Sequence, residues 1–186
     1  MNYYGAQDLA DAFRTVRKNT ITIAEEIPED KYGFRPTPES RTIGQTLMHI
    51  ALVPKLQAHI HGVEKRSTLE GFDFPGFFMP MMEEEQKSFS KIQILERLNE
   101  QGEHFAHFLA SLSDHFLGER VAMPAGMTPA SKTRFEMLMG VKEHEMHHRG
   151  QLMLVERMIG IVPHLTRQMQ ERMAQMMNQK AGGASR

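Results

Sequence analysis

Capping signals recur along this chain, each ahead of a run of apolar residues at helical spacing. Thr42, Ser90 and Thr133 are each followed three positions later by Gln or Glu, which is the pattern of a capping box at a helix start. An earlier stripe contains Leu9, Phe13, Val16 and Ile23 and stops before Pro28. The later stripes contain Leu95, Leu98, Phe105, Phe108, Leu109 and Leu112, and then Met137, Val141, Leu152, Val155 and Ile159. Such stripes are buried most simply by packing helix against helix.

The stripes and their boundaries predict an all-α fold. The second helix should run from Ile43 to Gly62 with a kink at Pro54, and the fourth should end near Gly160. The stretch GFDFPGFFMPMM, at residues 71–82, is punctuated by Gly and Pro, so we expect a long crossover without helix or strand there. No hairpin signal is present elsewhere in the chain.

We therefore predict a four-helix bundle with long crossover connections and an additional C-terminal helix. The bundle domain should occupy residues 1–165. The C-terminal helix and a disordered tail, AGGASR, should occupy residues 166–186.

Composition narrows the classes of partner and of site. Twenty-two Lys and Arg against 23 Asp and Glu leave a formal charge of -1, which predicts neither nucleic-acid binding nor attraction to an anionic membrane. No apolar run approaches the ~20 residues of a membrane span and no signal-like start is present, so we expect a cytoplasmic protein. The chain has no cysteine and ten histidines, so any metal ligand must be imidazole or oxygen.

The stretch EHEMHHRGQ, at residues 143–151, provides two of the candidate ligands. His144 and His148 interrupt the core-facing stripe of the fourth helix, and residues four apart on a helix can reach one ion. His49, in the apolar second helix, is the candidate for a third ligand. The alternative is that these histidines are buried and neutral, bonded to carbonyl groups or to one another. His147 lies further round the helix and should support the site or face solvent.

Other histidines and one competing motif are weaker candidates. His59, His61, His104 and His107 are expected on solvated helix surfaces. The letters HEMHH also fit the HExxH pattern of zinc peptidases, with Glu145 as the water-polarising residue. The chain lacks a convincing third ligand for that class, and it shows no sheet to receive a peptide substrate.

Two blocks of sequence resemble a known family. They are FRPTPESRTIGQTLMHIA, at Phe34–Ala51, and HEMHHRGQLMLVERMIGIVP, at His144–Pro163. Both are similar to the DinB-like superfamily of metal-binding four-helix bundles, which includes S-transferases that use bacillithiol or mycothiol. The resemblance implies a divalent ion, nickel or zinc, on His49, His144 and His148. It also implies that His147, Arg149, Gly150 and Gln151, which match the family's HRGQ context, support the scaffold and do not bind the ion.

The leading functional hypothesis is a metal-dependent transferase that activates a small thiol for attack on an electrophilic small molecule. Glu145 is a candidate proton acceptor, although a solvated surface position is also compatible with the sequence. The thiol would be a low-molecular-weight cofactor, because the chain has no cysteine. A metal-dependent hydrolase and a metal-binding module without turnover are the alternatives. The apolar crossover and the Met-rich last helix could form a homodimer contact or a lid.

Overall fold

Four long helical segments form a bundle in the computed structural model, which describes residues 4–183 and the side chains through residue 179. The helices are α1 (Ala6–Glu26), α2 (Ile43–Leu52), α3 (Pro54–Ala58), α4 (Phe74–Glu85), α5 (Lys91–Ala110), α6 (Asp114–Gly118), α7 (Arg134–Met158) and α8 (His164–Gly183). A 3-10 turn at Glu29–Lys31 follows α1, and a π turn at His59–Val63 follows α3. The predicted all-α bundle is confirmed. The three predicted capping boxes also form, at the starts of α2, α5 and α7.

The bundle surrounds a core that all four long segments share. Helices α1 and α2 each pack against both α5 and α7. The predicted stripe of α1 faces inward, and Leu9, Phe13 and Ile23 are fully buried. Because each apolar stripe is covered by two neighbouring helices, the rotation of each helix about its own axis is set by burial of its stripe.

The second helical segment is broken at the predicted proline. Helix α2 ends at Leu52, and α3 begins at Pro54, which occupies a first-turn position where its missing N–H costs nothing. The carbonyl of Ile50 would normally accept a hydrogen bond from residue 54, and proline cannot donate it. The break therefore leaves a buried carbonyl that another group must satisfy.

The crossover between the second and third long segments contains a helix, so the prediction of irregular structure there is wrong. Asp73 caps α4 by accepting a hydrogen bond from the Gly76 N–H at 2.9 Å, and Pro75 lies in the first turn. Pro80 removes one internal hydrogen bond, but Met81 is buried in the main core cluster. Packing against α2 thus outweighs the unfavourable propensity of this Gly- and Pro-rich segment.

The loop before α7 contains a small hairpin that the sequence did not indicate. Strands β1 (Arg120–Ala122) and β2 (Ser131–Thr133) pair antiparallel, with Val121 opposite Lys132. Each strand has three residues, which is too short to show the alternation that identifies a strand in sequence. The hairpin ends at Thr133, which is also the N-cap of α7.

The chain ends in the predicted additional helix. The first turn of α8 is partly buried, whereas residues 168–179 are exposed. The helix extends to Gly183, so it includes the first three residues of the tail that we expected to be disordered, and residues 184–186 lie outside the described part of the chain. Within that described part, no helix is both long and apolar enough to cross a membrane.

One buried guanidinium connects all four long helical segments. Arg17 of α1 is 4% exposed and forms a bidentate pair with Glu145 of α7, with N–O distances of 2.9–3.1 Å. It also donates to the carbonyl of Leu98 in α5 at 2.7 Å and to the carbonyl of Ile50 in α2 at 3.1 Å. The Ile50 carbonyl is the one left free by Pro54.

The Arg17 side chain requires a glycine beside it. A Cβ at Gly102 of α5 would lie 2.8 Å from Arg17 Cγ, which is closer than carbon atoms can approach. Gly102 therefore provides the space that Arg17 crosses on its way to the other helices.

The role expected for Glu145 is corrected by this pairing. Glu145 is 2% exposed, so it is not a solvated surface residue. Both of its oxygens accept hydrogen bonds from Arg17, so the carboxylate serves as the partner of a buried guanidinium.

Removing either partner of this pair should destabilise the protein strongly. Arg17→Ala or Glu145→Ala leaves the other charge buried without a partner, which costs about 3–5 kcal/mol of unfolding free energy. Urea denaturation followed by far-UV circular dichroism would measure this loss. Arg14→Ala is the matched control, because Arg14 pairs with the exposed Asp11 and Glu103 and its loss should cost less than about 1 kcal/mol. Equal losses for Arg14→Ala and Arg17→Ala would contradict the role assigned to Arg17.

Candidate metal centre

The first candidate ligand, His49, lies on α2 with one ring nitrogen facing α4. Its Nδ1 is 2.5 Å from Oε1 of Glu85, and its side chain is 15% exposed. The other oxygen of Glu85 accepts from Nε of Arg41 at 3.0 Å, and the Glu85 side chain is 4% exposed. Helix α4, which we did not predict, therefore holds His49 in place through its last residue.

The other two candidates, His144 and His148, lie one turn apart on α7. Their ring centroids are 4.5 Å from each other and 5.0 and 4.8 Å from the His49 ring. His148 is buried, and its Nδ1 is 2.8 Å from Oε1 of Gln151. Gln151 in turn contacts Nε2 of the exposed His147 at 3.1 Å.

Three ring nitrogens from the two helices point at one another. Nε2 of His144 is 3.3 Å from Nε2 of His49 and 3.2 Å from Nε2 of His148. Ligand atoms of the three residues all lie within 4.8 Å of one another, and no other such group of three occurs among the described residues. We refer to His49, His144 and His148 as the histidine triad.

The outer hydrogen bonds determine which nitrogens carry lone pairs. A carboxylate can only accept, so Nδ1 of His49 is the protonated nitrogen and its Nε2 carries a lone pair. The amide oxygen of Gln151 places the proton of His148 on Nδ1 in the same way. A proton on Nε2 of His144 could satisfy only one of these two lone pairs at a time. A single cation at the centre satisfies all three nitrogens.

Burial favours the neutral form of the two triad imidazoles on α7, His144 and His148. Burial, and next the neighbouring rings of His148 and His49, lower the pKa of His144 to about 4. Burial also lowers the pKa of His148, against the opposing effect of its bond to Gln151. Burial is the largest single influence on Glu85 and acts to raise its pKa, but the combined effects of His49 and Arg41 outweigh it, and the pKa lies below the usual value. Neutral imidazoles beside an ionised carboxylate are the protonation states that metal binding requires.

The observed spacing fits a transition-metal ion. Two ligands bonded at 2.0–2.1 Å to a tetrahedral ion lie about 3.3 Å apart. The two Nε2 separations of 3.2 and 3.3 Å match that value. The contacts from Glu85 and Gln151 to the rear nitrogens are those that orient histidine ligands in metal sites.

A pocket of about 530 Å³ adjoins the triad. His148, Glu85 and Arg41 contribute polar groups to its wall. The apolar part of the wall consists of Ile43, Met82, Leu152, Leu154 and Val155. Its size and mixed lining suit a small molecule with an apolar body.

The remaining predicted residues divide between surface and core. His104 and His107 are exposed, as expected. His61 is fully buried, so its expected surface position is wrong: its Nδ1 is 3.0 Å from a nitrogen of Arg134, and its Nε2 is 3.0 Å from Oε1 of Gln57. Burial, and secondarily the charge of Arg134, lower its pKa to about 4. The peptidase interpretation loses its base, because that residue would be Glu145.

Sequence reasoning missed two residues beside the triad, Glu85 and Arg41. Glu85 ends a run of three glutamates, which resembles an ordinary solvated segment in sequence. The available signal was Asp73 followed by Pro75, a helix start that would have predicted α4.

Solved structures of similar fold come from two bacilli. The DinB-like protein YjoA of Bacillus subtilis is 20% identical with a TM-score of 0.58, over 82% of this chain and 92% of its own. YfiT of Bacillus subtilis, described as a probable metal-dependent hydrolase with an unusual four-helix bundle topology, is 14% identical with a TM-score of 0.63, over 84% and 88%. A DinB-like protein of Bacillus cereus is 18% identical with a TM-score of 0.62, over 87% and 97%. At these identities the likeness concerns the fold.

Sequence comparison identifies the family. No curated protein matches the chain. Residues 12–152, which include all three members of the triad, match the family model described as the DinB superfamily. This match covers most of the bundle and confirms the family expected from the two sequence blocks, and the chain therefore belongs to the DinB superfamily.

Proposed function

We propose that this protein is a divalent-metal-dependent enzyme that activates a small thiol for attack on an electrophilic small molecule. The observation that carries the proposal is the position of Nε2 of His144, which lies 3.3 Å from Nε2 of His49 on the other helix and 3.2 Å from Nε2 of His148. A nickel or zinc ion held by three neutral imidazoles would keep its charge and an open coordination position, at which a thiol or a water loses its proton more easily.

The surrounding residues favour thiol over water as the nucleophile. Glu85 and Glu145 are the carboxylates beside the triad, and the oxygens of both are already engaged by hydrogen bonds. Both carboxylates thus hold other side chains in place, and this use favours a nucleophile that ionises without a strong base. A thiol has an ordinary pKa near 8.5 against ~15.7 for water, so it needs far less help to ionise. With no cysteine in the chain, the thiol would enter as a separate low-molecular-weight molecule.

The pocket would hold the electrophile. Its apolar wall would take the body of the substrate, and His148 would place the reactive end beside the triad. Arg41, which is 41% exposed, would remain in contact with both Glu85 and the substrate space. We also propose that residues 71–82 and the Met-rich last helix form a lid over the pocket or a homodimer contact.

Hydrolysis is the second candidate, because YfiT, a protein of similar fold, is described as a probable metal-dependent hydrolase. It uses the same triad and differs in the nucleophile. A metal-binding module without turnover is the third candidate.

Metal content should depend on the triad. Tag-free protein should bind one equivalent of a divalent transition metal, measured by elemental analysis after dialysis. His49→Ala, His144→Ala and His148→Ala should each lower metal affinity at least tenfold, because two imidazoles make a weak site. His104→Ala, which changes an exposed histidine, is the control and should bind normally. Full metal content in the triple variant would refute the site.

Glu85 should contribute to metal binding without being a ligand. Glu85→Ala removes the acceptor that orients His49, and we expect metal affinity to fall by about 10- to 100-fold. Glu85→Gln keeps an acceptor at the same place and should have a smaller effect. Glu84→Gln, the neighbouring change at a residue paired with Lys87, serves as control. Competition titration with a chelator would measure these affinities. If Glu85→Ala bound metal as tightly as the control, the positioning role would be wrong.

The identity of the nucleophile can be tested by comparing reactions with and without an added small thiol. Metal-loaded protein should convert a halogenated aromatic such as chlorodinitrobenzene only when a small thiol is added, and His49→Ala should abolish the enzymatic rate. Cleavage of an aryl ester without thiol, lost in the same variant, would instead establish the hydrolase. Absence of both reactions in a protein that binds metal stoichiometrically would favour the non-enzymatic module.

A further inference from the structure

Buried polar atoms without partners gather where the end of α7 meets α1 and α8. Within the described chain, the buried side-chain oxygens and nitrogens that lack a hydrogen-bond partner are Glu26 Oε2, both carboxylate oxygens of Glu156, and Nδ1 of His164. They come from the end of α1, the end of α7 and the start of α8. Such groups are costly unless something neutralises or satisfies them.

We refer to the meeting point of Glu26, Glu156 and His164 as the junction. Glu156 is the member whose burial is most costly. It is 0% exposed, and neither of its oxygens has a partner. It also lies in the last turn of α7, where the free carbonyl groups of the helix disfavour a negative charge. An ionised carboxylate in this position would be strongly destabilising, whereas a protonated carboxyl is neutral.

The charged groups around Glu156 come from three helices. Burial, and next the charge of Glu26 on α1, raise the pKa of Glu156 to about 7, while Arg167 on α8 and Arg157 on α7 act in the opposite direction. Arg167 is already committed, because it donates to Glu26 and to the carbonyl of Val162.

His164 of α8 is another titratable group at the junction. Its Nε2 is 3.2 Å from Oδ1 of Asn19 on α1. Burial lowers the pKa of His164. The charge of Glu26 acts to raise it, and the charges of Arg167 and Arg149 lower it further.

A metal ion does not fit this junction. The described carboxylates and imidazoles that converge closely enough to share an ion are those of the histidine triad. Arg167 already supplies the positive charge that Glu26 needs. The ligand that suits Glu156 is therefore a proton.

Proton binding at Glu156 bears on how α8 is attached. The first turn of α8 is held by the contacts from His164 to Asn19 and from Arg167 to Glu26, and by a 2.7 Å bond from Arg157 to Thr166. The rest of its described side chains are exposed. If Glu156 ionised, it would either draw Arg167 away from Glu26 or require water to enter. Both outcomes weaken the contact between α8 and α1.

We propose that Glu156 is a buried proton-binding site whose ionisation loosens the first turn of α8 from α1. This inference is independent of the metal centre. The DinB family match ends at residue 152, so both Glu156 and α8 lie beyond it.

The sign of the pH dependence follows from linkage. The ordinary pKa of Glu156, 4.5, applies when α8 is released, and the raised value of about 7 applies when it is docked. The docked state therefore binds more protons between these values, so docking is strongest at low pH and weakens as pH rises to about 7. His164 contributes the opposite slope, because its pKa is lowered in the docked state.

Hydrogen exchange at α8 tests the coupling. Exchange of peptides covering residues 164–179 is measured from pH 5 to pH 8 and corrected for the intrinsic pH dependence of exchange. The measured quantity is the ratio of protection in the wild-type protein to protection in Glu156→Gln. This ratio should fall by on the order of a hundredfold from pH 5 to pH 8. Glu156→Gln is permanently neutral, and it retains the contribution of His164, which therefore cancels in the ratio. Glu171→Gln, at an exposed position on α8, controls for loss of charge and should follow the wild type.

A second measurement does not depend on the variant folding. Carboxyl carbon NMR of wild-type protein labelled in glutamate should show one glutamate titrating near pH 7. Parallel exchange profiles for wild type and Glu156→Gln, or titration of every glutamate below pH 5.5, would overturn the proposal.

Discussion

The bundle depends on the buried guanidinium of Arg17. It joins α1 to α7 through Glu145, to α5 through the Leu98 carbonyl and to α2 through the Ile50 carbonyl. The interaction needs two local features, since Pro54 frees the Ile50 carbonyl and Gly102 leaves room for the side chain. A buried ion pair of this kind need not stabilise more than well-packed apolar residues would. Its effect is to restrict how the four segments can be arranged.

This restriction also helps to position the histidines of the candidate metal centre. Glu145 adjoins His144 in α7, so pairing Glu145 with Arg17 on one side of the helix holds His144 and His148 toward α2. On the opposite side of the triad, α4 contributes Glu85, which holds His49. The ligand nitrogens are thus positioned by contacts from three different helices before any ion binds, and this reduces the ordering cost of metal binding.

The same contacts limit the chemistry that the site can perform. Glu85 and Glu145 serve as supports, since Glu85 holds His49 and Arg41, and Glu145 holds Arg17. A nucleophile that ionises easily suits such a site better than one that needs a strong base. The pocket beside His148 has a mixed polar and apolar lining and would admit the organic electrophile that such a nucleophile attacks.

The fold and the candidate ligand residues on α7 could be predicted because their signals are local and periodic. The capping boxes at Thr42, Ser90 and Thr133 marked three helix starts, and the interrupted stripe on α7 identified His144 and His148 as buried imidazoles in need of a partner. Family resemblance then supported His49. Helix α4 was missed because its local propensity is poor and its stability comes from packing.

Only the tertiary structure decided the pairings between residues that are distant in the sequence. In the sequence, Glu145, Glu85 and His61 are ordinary polar residues of helical segments. Their roles depend on Arg17, His49 and Arg134, respectively, which lie 128, 36 and 73 positions away. Periodicity tells which face of a helix is buried. It does not tell which side chain of another helix will meet that face, because that depends on the mutual rotation and crossing of helices, which the whole core sets together.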